Sequence, residues 1–298
     1  MKKLNKITML LAALAFTTTA CNNSDNEPGY GEITLTTPVV SLGGIEATAS
    51  RAEKAEFTDM VLHVDLLNKE GESNDRSCTF KYGSGEWSHG SDQSLIVTAG
   101  EGKYYARAIA ERVNVKQNNN VLIEGAFYVY NGENNSVGTI DVKDKGTFTF
   151  GAEMKPLTAA IKVVLKDADG EPVNSGYTVT MNGLQHVNLN GHPGAKWEKD
   201  GKSVKLDARK IKEPIDDFNK VYGNYVVDTY PAGTIMTITN SVEEVTYHVT
   251  TTSDLTLEAG KLYTFNVKLG GDTTIEITSN GITVTDFVIV NGTIEIKR

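Results

Sequence analysis

From about residue 30 onward, apolar and polar residues in this chain tend to alternate at every second position. The clearest stretch is 58–67 (TDMVLHVDLL), where Met60, Leu62, Val64 and Leu66 fall on one face. A period of two is the pattern of a half-buried β-strand. Residues 32–40 (EITLTTPVV) alternate on both sides of Pro38, and 94–98, 103–113, 121–130 and 137–142 follow at short spacing. The run 147–151 (TFTFG) closes a first set of strands.

A second set opens at 157–166 (LTAAIKVVLK), turns at 167–171 (DADGE), and continues through 177–181, 225–229, 234–239, 245–251 and 261–269. The tail adds 274–278, 282–290 and 293–297. One segment has helical spacing instead. Ile211, Ile215, Phe218 and Tyr222 lie 4, 3 and 4 apart, with Pro214 near the start, Asp216 and Asp217 in the first turn and Gly223 at the end. The expected fold is therefore all-β, two antiparallel β-sandwich domains with one short helix in the second. The expected domains are 52–153 and 154–298. With 298 residues, 39% of them hydrophobic, each half is long enough to bury its own core.

The first twenty residues stand apart. Lys2, Lys3 and Lys6 precede an almost wholly apolar run at 7–16, and 17–20 turns small before Cys21. Ten helical residues span about 15 Å, half a bilayer core, so 1–20 reads as a signal peptide. Small residues followed by Cys resemble a bacterial lipobox, in which Cys21 becomes the lipidated first residue; Thr18 stands where Leu is usual. Plain secretion with an unmodified Cys21 is the alternative. Residues 22–29 (NNSDNEPG) read as a polar tether. With Cys21 lipidated, Cys78 is the only other thiol, so no internal disulfide can form. Cys78 sits in an alternating run and is expected to be a buried, inert thiol.

The net charge of −9 becomes −12 once the three leader lysines are removed. Such a chain has little with which to neutralise phosphates, and no nucleic-acid partner is expected. No HExxH, GxSxG, P-loop or dinucleotide fingerprint occurs. His63 lies on the polar face of its strand, and His186, His192 and His248 have no ligand partner at metal spacing. Asp167-x-Asp169-Gly170 looks like a fragment of a calcium loop, but it lacks the closing acidic ligand, and a hairpin turn explains the same residues. Trp87, Tyr104, Tyr105, Tyr128 and Tyr130 could stack on a sugar or serve as strand side chains. No catalytic residue, metal or cofactor is expected, and the chain is not expected to be an enzyme.

Two stretches carry a resemblance. Residues 151–169 (GAEMKPLTAAIKVVLKDAD) are similar to the Met-x-x-Leu-x-Ala-x-Ile/Val-x-Val segment that opens the second domain of the fimbrillin family of surface pilus subunits. Residues 258–269 (EAGKLYTFNVKL) resemble the Gly-x-x-Tyr-x-Phe-x-Val strand late in that domain. The leader, the first strand and an Arg-Ala bond complete the likeness.

The resemblance implies two transthyretin-like Greek-key domains, with 21–51 serving as tether and propeptide. It implies export to the outer membrane on the lipid of Cys21. An Arg-specific, trypsin-like protease then cuts between Arg51 and Ala52, where 43–50 is rich in small residues. The first strand leaves, with Ile33, Leu35 and Val39 as its apolar plugs. A strand from another copy, or from a related pilus subunit, takes its place in the surface fimbria. The candidate donor strand is 282–298, offering Ile282 and Val284, then Phe287 and Ile289, then Ile294 and Ile296, with a phase slip at Thr285–Asp286. Four such side chains at about 1.5–3 kcal/mol each offer about 6–12 kcal/mol before ordering costs. The alternative reading is a non-polymerising surface lipoprotein or tip adhesin that binds a glycan or host protein.

Overall fold

A computed structural model of the chain describes residues 30–42, 56–67, 77–84, 86–89, 94–98, 105–117, 120–130, 145–187, 194–198, 203–210, 214–215, 217–218 and 220–286. The leader, Cys21, the Arg51–Ala52 bond, the expected strand at 137–142 and the tail from Phe287 lie outside them. The first half contributes β1 (Tyr30–Leu42), β2 (Glu56–Leu67), β3 (Ser77–Gly83), β4 (Glu86–His89), β5 (Ser94–Thr98), β6 (Tyr105–Gln117), β7 (Asn120–Tyr130) and β8 (Lys145–Pro156). The second contributes β9 (Thr158–Lys166), β10 (Pro172–Val173), β11 (Thr178–Met181), β12 (Gln185–Val187), β13 (Ala195–Trp197), β14 (Val204–Leu206), β15 (Ala208–Lys210) and β16 (Pro214–Ile215). It continues with β17 (Tyr222–Val226), β18 (Thr229–Tyr230), β19 (Gly233–Asn240), β20 (Val245–Thr251), β21 (Leu255–Thr256), β22 (Lys261–Lys268), β23 (Thr274–Ile277) and β24 (Ile282–Asp286).

The all-β expectation holds. Alternation does its work in β2, where Met60, Leu62 and Val64 are buried together with Cys78 and Phe80 of β3, Ala108 and Ala110 of β6, and Ala126 and Tyr128 of β7. Cys78 is thus a buried thiol in the first core. In the second half Ala159, Ile161, Val163 and Leu165 of β9 and Tyr263, Phe265 and Val267 of β22 form one layer. They pack against Val179, Met181, Met236, Ile238 and Val249 of the five-stranded sheet β16-β11-β19-β20-β23.

Two expectations change. The sheets are mixed rather than purely antiparallel: β1–β8, β9–β22, β20–β23 and β7–β17 pair in parallel. The expected helix is absent among the described residues. Ile215 pairs with Val179, the N–H of Lys220 donates to the carbonyl of Asp217 at 3.0 Å in a tight turn, and Tyr222 opens β17. Pro214 disfavours helical backbone at the residue before it. Phe218, Ile215 and Tyr222 all pack on the second core, so their spacing records inward contacts of two short strands, β16 and β17, and of the turn between them.

The halves are joined through one sheet, in the order β24-β22-β9-β17-β7-β6-β2-β3-β4. The expected boundary after residue 153 falls inside β8, whose earlier part ladders with β1 while Lys155 and Pro156 pair with β7.

Candidate functional site: the seat of the first strand

β1 lies between two strands. On one side it runs antiparallel to β5, from Tyr30 opposite Thr98 to Thr34 opposite Ser94. On the other it runs parallel to β8, from Glu32 opposite Lys145 to Leu42 opposite Met154, over nine paired positions. The register shifts between Thr36 and Val39: three steps along β1 match two along β8, from Thr149 to Gly151. Pro38 sits in the shift. Having no N–H to give to a ladder, it belongs at a bulge.

A one-residue bulge exchanges the faces of everything beyond it. Ile33 and Leu35 stand opposite Gly146 and Phe148; beyond the shift, Val40 and Leu42 stand opposite Ala152 and Met154 and continue that phase. Val39 stands opposite Gly151, out of phase with Ile33 and Leu35. Met154, which closes the ladder, is fully buried.

Among the described strands β5 has no partner other than β1, and β8 as far as Met154 is laddered by β1 alone. Removing β1 would leave β5 unpaired and open the edge of β8.

Of the candidate donor residues, Ile282 and Val284 stand on β24, antiparallel to β22, opposite Phe265 and Tyr263. Ile282 packs partly on the second core and Val284 is half exposed. Phe287, Ile289, Ile294 and Ile296 lie outside the described residues.

The stretch 258–269 shows why its residues are spaced as they are. Gly260 turns with φ of 74°, and its N–H donates to the carbonyl of Thr158. A Cβ there would stand 2.7 Å from Pro156 Cγ. The Tyr263 hydroxyl then accepts the N–H of Glu258 at 2.9 Å, while Tyr263, Phe265 and Val267 point into the core.

Sequence reasoning missed the polar cluster at the junction of the halves. Asp65 and Arg107 stand opposite each other on β2 and β6, and the Arg107 Nε donates to Asp65 Oδ2 at 3.2 Å. The Arg107 guanidinium lies 4.4 Å from the centroid of the Trp197 ring, on β13 of the second half. Glu111, also on β6 and buried, accepts the Ala195 N–H at 2.8 Å through Oε1 and lies 3.3 Å from His63 Nε2 through Oε2. Burial raises the Asp65 carboxyl above its usual range, against the opposing pull of Arg107 and His63. Around these groups Ile109 and Phe127 of the first half pack with Val187 and Ala195 of the second. The available signal was the charge alternation in Arg107-x-Ile109-x-Glu111, which puts two ionisable groups on the face of β6 opposite Ala108 and Ala110.

This geometry also limits sugar stacking. One face of Trp197 is covered by Arg107, and Tyr128 is in the core, where burial pushes its hydroxyl well above the usual range. The Asp167 segment is the hairpin turn between β9 and β10: Asp167 Oδ1 accepts the N–H groups of Asp169 and Glu171, both at 2.9 Å. Among the described residues no group of three His, Cys, Asp or Glu side chains is placed to hold a metal ion.

No family model matches the chain, and no curated protein matches it. Among solved structures it is similar to a candidate cell adhesion protein of Bacteroides fragilis, at 10% identity and a TM-score of 0.45, covering 85% of this chain and 96% of that one. A candidate cell adhesion protein of Bacteroides uniformis matches at 12% identity and a TM-score of 0.38, covering 87% and 98%. A candidate polysaccharide-binding protein of Bacteroides thetaiotaomicron matches at 12% identity and a TM-score of 0.31, covering 80% and 92%.

Proposed function

We propose that the chain is a structural subunit of a cell-surface fimbria that supports adhesion. It is exported as a lipoprotein on Cys21, cut between Arg51 and Ala52 by an Arg-specific, trypsin-like protease, and joined to other copies or related subunits by strand exchange. The observation that carries this reading is the position of β1. The strand precedes Arg51 in sequence and is seated between β5 and β8, so one cut in the connection from β1 to β2 severs it from the rest of the chain. Its loss would expose unpaired backbone on both neighbours, a state that favours capture of another strand.

The test is the N-terminus of the protein recovered from the cell surface, read by mass spectrometry, in the natural chain and in Arg51→Ala. The expected result is a start at Ala52 with detergent-resistant oligomers in the natural chain, and uncut monomer in the variant. A lipidated start at Cys21 in otherwise functional surface protein would sink the exchange and leave an anchored binding lipoprotein. Oligomers that persist in Arg51→Ala would sink the cleavage step.

A further inference from the structure

Strands β9 and β22 turn one row of side chains to the second core and the other to solvent. With Val163, Leu165, Phe265 and Val267 buried, the outward row is Lys162, Val164 and Lys166 on β9 and Thr264, Asn266 and Lys268 on β22. The parallel register sets Thr264 opposite Lys162, Asn266 opposite Val164 and Lys268 opposite Lys166. Lys166 and Lys268 are exposed and Lys162 is half-buried. Like charges placed opposite each other on neighbouring strands destabilise a sheet.

Nothing beside these lysines offsets them. The flanking strands contribute Thr283 opposite Thr264 and Pro172 opposite Lys166. Among the described residues none of the three lysines is in an ion pair. The carboxylates nearest in sequence, Asp167, Asp169, Glu171 and Asp272, lie in turns beyond the strands, and Asp167 Oδ1 is taken by the N–H groups of Asp169 and Glu171. The chain has 38 acidic residues against 29 basic, so an unpaired lysine cluster runs against its composition. Strand formation does not require it either. On the five-stranded sheet the outward positions of β11 and β19 are held by Thr178, Thr180, Thr237 and Thr239.

We infer that this face of β9 and β22 binds an anionic polysaccharide lying along the strands. Lys162 and Lys166 are four residues apart, about 13 Å at about 3.3 Å per residue, too far for one small anion to bridge. A chain with acidic groups at intervals meets Lys162 at one end and the opposed Lys166 and Lys268 at the other. Between them stand neutral groups suited to sugar hydroxyls. Asn266 Nδ2 donates to the Thr264 carbonyl at 3.4 Å and to Thr283 Oγ1 at 3.2 Å, which leaves Asn266 Oδ1 to accept. Lysine is a point charge on a flexible stem, so it follows a repeating ligand without demanding one orientation. The acidic remainder of the chain repels a polyanion only weakly at physiological ionic strength, where the screening length is about 8 Å, and the local lysines decide. β1 takes no part in this face, so the inference stands apart from strand release.

Retention of the full chain on immobilised polymers tests it. The probes are polygalacturonate, dextran sulfate, unmodified dextran and polyglutamate, each at physiological and at high ionic strength. The expected result is retention on polygalacturonate, dextran sulfate or both, lost at high ionic strength, and none on dextran. The two anionic polysaccharides tell carboxylate from sulfate as the group that is read. Lys162→Gln, Lys166→Gln and Lys268→Gln should each weaken binding about fivefold. Lys205→Gln, at an exposed position of β14, should leave it unchanged. Thermal melting separates lost binding from damage to the fold. Lys166→Gln and Lys268→Gln relieve the opposed charges, so each should melt at or above the natural temperature without ligand. Each should also lose much of the upward shift that the anionic polysaccharide gives the natural chain. Lysine variants that bind as the natural chain does, equal retention on dextran, or no retention on either anionic polysaccharide would overturn the inference. Retention on polyglutamate equal to that on the polysaccharides would overturn the polysaccharide as occupant, in favour of an acidic protein surface.

Discussion

The Arg107 guanidinium rests on the ring of Trp197, 4.4 Å from its centroid, and so ties β6 of the first half to β13 of the second. Arg107 is almost fully buried and also donates to Asp65, making it the centre of a three-residue contact across the junction. Arg107→Ala would strand the Asp65 carboxylate and uncover one face of Trp197. The expected loss is about 3–5 kcal/mol, the cost of removing one partner from a buried ion pair. Trp197→Leu keeps the ion pair and should cost less, mainly the cation–π contact, worth about 0.5–2 kcal/mol, and some packing. Urea denaturation of both variants and of the double variant measures the coupling; strict additivity would refute a direct Arg107–Trp197 interaction.

Asp65 gives the junction a pH signature. Burial raises its carboxyl above the usual range, so the fold favours the protonated form more than the unfolded chain does. Its contribution is then fully present below the usual carboxylate value and is lost as pH rises through the raised one. In Asp65→Asn this part of the slope should vanish, leaving a flatter stability profile across the mildly acidic range. Denaturant midpoints taken from pH 3 to pH 6 check it, and an unchanged slope would remove Asp65 as its source.

The strands were legible because strands such as β2 and β22 bury one face, and period two follows from that. The residues 258–269 were legible for a physical reason as well: Gly260 must turn against Pro156, and Tyr263 must reach back to Glu258. The false helix at Ile211 to Tyr222 shows where periodicity fails, since Ile215 of β16, Phe218 in the turn and Tyr222 of β17 all face a core at spacings that mimic a helical face. The phase of β1 past Pro38 could not be read locally, because the bulge is defined by the partner strand β8. The junction was hidden for the same reason. Arg107 and Glu111 share β6, but His63, Asp65 and Trp197 are far from them in sequence, and only the pairing of β2 with β6 and the placement of β13 bring them together.

The sheet that unites the halves depends on a close approach at Gly223. A Cβ there would stand 2.7 Å from Ile123 Cγ2 and 2.9 Å from the Ala126 Cβ, both on β7. Beside it, the Thr158 hydroxyl donates to the Gly223 carbonyl and accepts the Phe127 N–H at 3.2 Å, linking β9, β17 and β7. Gly223→Ala should cost about 1–3 kcal/mol through overpacking. Thr158→Val, which keeps the shape and removes the hydroxyl, should cost about 1–3 kcal/mol for the polar groups left unpaired. Thermal denaturation measures both. Wild-type stability in Gly223→Ala would mean that β17 and β7 are free to separate by the width of a methyl group.

The pairing of β5 with β1 alone predicts that the two open together. A strand whose described ladder runs through one neighbour loses its protection from hydrogen exchange when that neighbour leaves. In Leu35→Asp, which puts a charge at the centre of the β1–β8 ladder opposite Phe148, the amides of 30–42 and 94–98 should exchange faster and to the same extent. Those of β22, laddered to β9 and β24 in the other half, should keep their natural rate. Exchange followed by peptide mass spectrometry reads all three segments in one experiment. Fast exchange at 30–42 with unchanged protection at 94–98 would mean that β5 has a second hold on the fold. The release of β1 would then leave a groove with one open edge, on β8, in place of two.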